Sequence, residues 1–131
     1  MDTARVRIYR ATGREAEARR LADERLQALR AERRTTGTAC TMSVFASGSR
    51  GTWLEYASLA ANEGLRDEAM DALAGALRCG ELPWAFEPGL PWFRSLEGHP
   101  PYDELLRERE RRVTRIRSEL ERLDAAHDGS L

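Results

Sequence analysis

Two histidines, His99 and His127, and two cysteines, Cys40 and Cys79, are the side chains of this 131-residue sequence best suited to hold a metal or supply a nucleophile. His99 stands in a Pro-rich turn and His127 in a terminal tail, and the cysteines stand in a loop and at a helix end. None shows the paired spacing that zinc sites use, so no metal ligation is expected. Ser47-Gly48-Ser49 lacks the Gly-x-Ser-x-Gly elbow of an activated serine. Gly48 and Gly51 are not followed by lysine, so no phosphate loop and no nucleotide cofactor are expected. The run Arg107-Glu108-Arg109-Glu110-Arg111-Arg112 is the remaining candidate, as a nucleic-acid contact. Glu alternates with Arg along it, Glu108 and Arg112 form an i,i+4 pair, and the net charge is −1. A solvated helix face is the expected reading, without nucleic acid. The sequence therefore predicts a protein without catalytic chemistry.

The elements that position these residues are helical. A first helix is expected from about Thr3 to Ala11, broken by Gly13, and a second from about Arg14 to Arg33. The second has Ala18, Leu21, Ala22, Leu26 and Leu29 on one face. Residues 35–50, rich in Thr, Ser and Gly, read as a loop, with Met42 and Phe45 tucked onto neighbouring helices. A third helix is expected from about Gly51 to Glu63, opened by the capping box Thr52-x-x-Glu55. A fourth runs from about Arg66 to Cys79, stopped at Gly80. All five prolines then fall between Pro83 and Pro101. They forbid a long helix there and leave short turns held by Trp84, Phe86, Trp92 and Phe93. The last helix starts at Pro101 and continues to about Ala125.

Within these helices a pattern repeats. Trp53-x₂-Tyr56-Ala57-x₂-Ala60 and Ala69-x₃-Leu73-x₂-Ala76 flank Gly64. Aligning Gly13 with Gly64 sets Glu17-Ala18 on Glu68-Ala69 and Val6 on Ala57, at an offset of 51 residues. Two helices joined by a tight turn approach closely where small residues leave room, which is the spacing of a tetratricopeptide repeat (TPR). Adjacent repeats of that kind stand roughly 34 residues apart, so about 17 residues are inserted here.

From about Trp53 to Leu123 the chain resembles the C-terminal end of bacterial TPR arrays, those of winged-helix activators, nucleotide cyclases and protein kinases. Three segments carry the resemblance: Gly64-Leu65-Arg66-Asp67-Glu68-Ala69, Trp92-Phe93-Arg94-Ser95-Leu96, and His99-Pro100-Pro101-Tyr102-Asp103-Glu104-Leu105-Leu106. It implies a regulatory or interaction module with no chemistry of its own.

The expected fold is all-α, a TPR-like α-solenoid of two helical hairpins closed by an irregular aromatic segment and a long C-terminal helix. Residues 1–34 form the first hairpin, 35–50 a loop, 51–80 the second hairpin, 81–99 a connector, and 100–131 the capping helix and tail, one domain overall. Tyr9, Ala18, Leu21, Trp53, Tyr56, Ala57, Ala69, Leu73, Ala76, Trp92, Phe93 and Leu106 are expected inside.

Function then rests on surfaces. Stacked hairpins offer a concave face to a protein or peptide, and Arg5, Glu55, Ser58 and Asn62 are expected to line it. The alternative is structural homo-oligomerisation. A heptad stripe of Tyr102, Leu106, Val113, Ile116, Leu120 and Leu123, interrupted by Arg109, would pair two copies through Val113, Ile116, Leu120 and Leu123. Charge is uneven: residues 1–34 carry ten Arg against six acidic residues, and 51–104 carry three against ten. Such ends and middle complement each other, within a chain or between chains. Every one of the 21 basic residues is arginine. No apolar run suits a membrane span, and two free thiols are expected, in keeping with a reducing cytoplasm.

Overall fold

The computed structural model describes residues 2–37, 53–79 and 91–129. Its elements are α1 (Asp2–Ala11), α2 (Glu15–Thr36), α3 (Trp53–Asn62), α4 (Arg66–Arg78), a 3-10 turn (Pro91–Leu96) and α5 (Pro100–Asp128). No strand occurs among the described residues. Thr52, Cys40, Met42, Phe45, Gly80, Trp84 and Phe86, and with them the expected capping box and most of the aromatic plug, lie outside the described residues. Helix α2 runs to Thr36, so the expected loop begins later than Thr35.

The chain divides into two compact units, residues 1–97 and 98–131. In the first, α1 packs on α2 and α3 on α4, while α3 also touches α1, α2 and the 3-10 turn. Helix α3 is thus the central element, and Trp53 and every residue from Tyr56 to Ala61 are buried. A helix apolar on all sides belongs at such a position. Its alanines let neighbours approach, and Trp53, Tyr56 and Leu59 fill the space between. Helix α2 turns Ala18, Ala22, Leu26 and Leu29 inward at three- and four-residue spacing.

The two glycine turns match bond for bond. Gly13 has φ 79° and Gly64 φ 78°. The Arg14 N–H donates to the Tyr9 carbonyl at 2.8 Å, and the Leu65 N–H donates to the Ala60 carbonyl at 2.9 Å. The glycine N–H groups donate to Arg10 and Ala61 at 3.2 and 3.1 Å. Each turn is a Schellman stop, in which a left-handed glycine lets the chain satisfy the last carbonyls of one helix before starting the next. Ala18 and Ala69, equivalent positions four residues beyond the N-caps Arg14 and Leu65, are both fully buried. The two turns aligned at the offset of 51 therefore share one conformation.

Some expected core residues sit elsewhere. Leu21, Trp92 and Leu106 are half-buried, as is Tyr9, whose ring lies 4.3 Å from the Arg14 guanidinium. Arg7 similarly covers Trp92 at 5.8 Å. Stacked arginines shield these rings in place of other apolar groups.

The second unit is α5. The carbonyl of His99 accepts from Tyr102 and Asp103 at 2.9 and 3.1 Å. Pro100 and Pro101 occupy the first turn, where a missing N–H costs nothing. Tyr102 is buried, Leu105, Leu106 and Val113 are half-buried, and every residue from Thr114 to Gly129 is exposed.

Candidate functional site

Arg5, Glu55, Ser58 and Asn62 come from α1 and α3, and the structure turns most of them inward. Ser58 is buried, with its hydroxyl 3.0 Å from that of Thr3, also buried, and donating to the Glu55 carbonyl at 2.9 Å. Asn62 accepts from Arg7 at 3.1 Å. The Glu55 carboxylate accepts from Arg25 at 3.1 and 3.3 Å, and Arg25 also lies 2.9 Å from Asp2. Arg5 is exposed beside Asp2 at 3.8 Å. Of the expected concave face, Ser58 is thus sealed and Glu55 and Asn62 are engaged within the chain. The reason is that α3 is surrounded: its polar residues bond to α1 and α2, since a buried polar group must find a partner.

A signal for these pairs does exist in the sequence. Thr3 and Ser58, and Arg7 and Asn62, are each 55 residues apart. That is the repeat offset plus one helical turn, as expected when the first helix of one hairpin lies one turn out of register against the first helix of the next.

The charge asymmetry resolves inside the first unit. Arg10 grips Glu63 bidentately at 2.7 and 2.9 Å, Arg30 grips Glu68 at 2.5 and 2.8 Å, and Arg33 lies 3.8 Å from Asp71. Arginine serves here because its planar fork matches a carboxylate. Tyr56 donates a third bond to Glu68 at 2.6 Å. Arg30 holds the Glu68 carboxyl below the usual carboxylate range, with burial opposing and Tyr56 assisting. Burial, followed by the bond to Glu68, pushes the Tyr56 phenol up to about 12, so it remains a donor at neutral pH.

A pH dependence follows. A carboxylate with a depressed folded pKa adds stability above its unfolded value and loses it as pH falls through the folded one. Glu68→Gln is expected to cost about 1 kcal/mol at pH 7, since Arg30 is partly solvated. The gap between variant and parent should narrow as pH falls below the unfolded value of 4.5. Thermal melts of both proteins from pH 7 to pH 3 measure it; a gap constant with pH would show that Glu68 is not held as a carboxylate.

A recess of about 540 Å³ lies between α2 and the α3–α4 hairpin, lined by Arg30, Arg33, Arg34, Arg78, Trp53 and Tyr56. Arg33 and Arg78 stand 5.7 and 5.6 Å from the Trp53 ring. Of its cations, Arg30 serves Glu68, and Arg33 and Arg78 stand over the indole. Among the described residues no three His, Cys, Asp or Glu side chains converge as a metal site requires, and no helix is long and apolar enough to cross a membrane. Cys79, expected to be a free thiol, is disulfide-bonded; Cys40, the other cysteine of the sequence, lies outside the described residues. A separation of 39 residues in sequence carries no distance, so the expectation of free thiols stood on an assumed compartment alone. With Cys79 bonded, thiols no longer place the chain in a reducing cytoplasm.

The oligomerisation residues lie differently. Ile116, Leu120 and Leu123 are 57%, 56% and 50% exposed, and Val113 is half-buried. They fall at three- and four-residue intervals on one face of α5, while ion pairs such as Arg111–Glu108 at 2.6 Å lie on the opposite face. Three large aliphatic side chains in water on one stripe form a surface suited to burial by another helix.

Comparison with protein-family models, with curated proteins and with solved structures found no match.

Proposed function

We propose that this chain is a non-enzymatic protein-interaction module whose contact surface is the apolar stripe of α5. The observation that carries the reading is the exposure of Ile116, Leu120 and Leu123 along one face of a helix that runs 29 residues. An isolated helix is marginal in water, and covering such a stripe with another protein stabilises it. The hairpins are best read as a TPR-like solenoid. The matched glycine turns and the contacts of α3 with both α1 and α2 favour that arrangement. Their own concave face is a poorer partner surface, because Glu55, Ser58 and Asn62 already bond within the chain.

Photo-cross-linking tests the reading. A benzophenone side chain at Leu120 is expected to give protein adducts in cells making the full chain, and Ile116→Asp should abolish them. The same probe at Ser118, exposed on the opposite side of α5, is expected to give none. Equal yields from the two positions, or no adduct from Leu120, would overturn it.

A further inference from the structure

Charges beside the α5 stripe identify its occupant. Resting on the reading that this stripe is the contact surface, we infer that it pairs with a second copy of the same helix, antiparallel and in a single register. In heptad terms Leu106, Val113 and Leu120 take the a positions and Arg109, Ile116 and Leu123 the d positions. The flanking g positions are then Leu105, Arg112, Glu119 and Ala126, and the e positions Asp103, Glu110, Arg117 and Asp124.

A parallel pair brings each g residue against the next e residue of its partner. Arg112 would then meet Arg117, and Glu119 would meet Asp124, each twice. Like charges at every charged g–e contact disfavour that arrangement. An antiparallel pair brings g against g and e against e. Centred between Thr114 and Arg115, it sets Arg112 against Glu119 and Glu110 against Arg117 of the second copy, each twice by symmetry. Leu105 meets Ala126, and only Asp103 and Asp124, at the ends, face a like charge. Sliding by one heptad in one direction sets Arg117 against itself and Glu119 against itself. Sliding in the other sets Arg112 and Glu110 each against itself. One register survives.

The seam of that register is apolar. Val113 packs on Ile116 of the second copy, while the half-buried Leu106 and the stem of Arg109, 12% exposed in the single chain, turn outward to meet Leu123 and Leu120. It spans residues 106–123, roughly 27 Å of helix. The large hydrophobic residues exposed on α5, Ile116, Leu120 and Leu123, all enter it.

Sedimentation equilibrium on the full chain tests the pairing. The parent is expected to show a monomer–dimer equilibrium. Arg112→Glu alone, or Glu119→Arg alone, should weaken the dimer about tenfold, by setting like charges together twice. The double variant R112E/E119R restores the opposite pairing and should return the dimer to within about threefold of the parent. Arg115→Glu, on the outward face, should change it little, and helix content by circular dichroism should hold throughout. Tightening by R112E would overturn the antiparallel register, because it relieves the clash of a parallel pair. A parent that is monomeric at every concentration, with heterologous adducts at Leu120, would overturn self-pairing alone. A monomer without any adduct at Leu120 would overturn both this inference and the interaction reading beneath it.

Discussion

Gly75→Ala is expected to lower the melting temperature by roughly 6–10 °C, an overpacking cost net of the helix-propensity gain. In an ordinary helix the change would help, because alanine is favoured over glycine by about 1 kcal/mol. Here a Cβ at position 75 would stand 2.7 Å from Cδ2 and Cε3 of Trp53. The indole is buried beneath Arg33 and Arg78, so the ring or α4 must shift. Overpacking of this kind costs about 3 kcal/mol at its upper end, and a chain of this size loses roughly 3–5 °C per kcal/mol. The decisive measurement is the same substitution in a Trp53→Leu background. With the indole gone the clash goes too, and Gly75→Ala should become neutral or stabilising. Should Gly75→Ala raise the melting temperature with Trp53 present, the close approach of α3 and α4 at this point is wrong.

Ala69→Leu is the second large effect. Ala69 opens the buried face of α4, four residues after the N-cap Leu65, whose carbonyl accepts its N–H at 2.9 Å. It is fully buried, and leucine adds three carbons where α4 packs on α3. The expected cost is about 3 kcal/mol, again the upper end for overpacking, against a total stability on the order of 5–15 kcal/mol. Because the turns at Gly13 and Gly64 match, Ala18→Leu in the first hairpin should cost the same within about 1 kcal/mol. Arg66→Ala, exposed on the same helix, should stay within about 0.5 kcal/mol. Urea melts of the three variants decide the matter. An unchanged midpoint for Ala69→Leu would mean that α4 faces the core with another side. A gap of several kcal/mol between the two alanines would mean that the hairpins are not equivalent.

These substitutions also separate scaffold from surface. Neither Gly75 nor Ala69 lies on the α5 stripe, whereas Ile116→Asp acts on an exposed side chain and should leave the melting temperature of the first unit nearly unchanged.

What the sequence determined alone are the features that depend on near neighbours. Gly13 and Gly64 stop helices because the left-handed conformation they adopt is open to glycine without strain. Pro100 and Pro101 start α5 because the first turn has no carbonyl awaiting their N–H. Ala18, Ala22, Leu26 and Leu29 mark the inner face of α2 by spacing, and the stripe from Val113 to Leu123 was legible for the same reason. Even the likeness of the two turns could be read, since equal turns need equal residues.

Tertiary structure decided what depends on groups far apart in the chain. Ser58 looked like a surface residue because a serine in a helix usually is one; only the placement of α3 among α1, α2 and α4 shows that Thr3 satisfies it indoors. Nothing in the sequence sets the Trp53 ring against Gly75, 22 residues further on. The uneven charge predicted complementarity without direction, and only the packing of α2 beside α3 and α4 paired Arg25 with Glu55 and Arg30 with Glu68. Local preferences act over one helical turn, whereas the pairs just named lie 22 to 55 residues apart, and periodicity along one helix carries no information about which neighbour fills its groove.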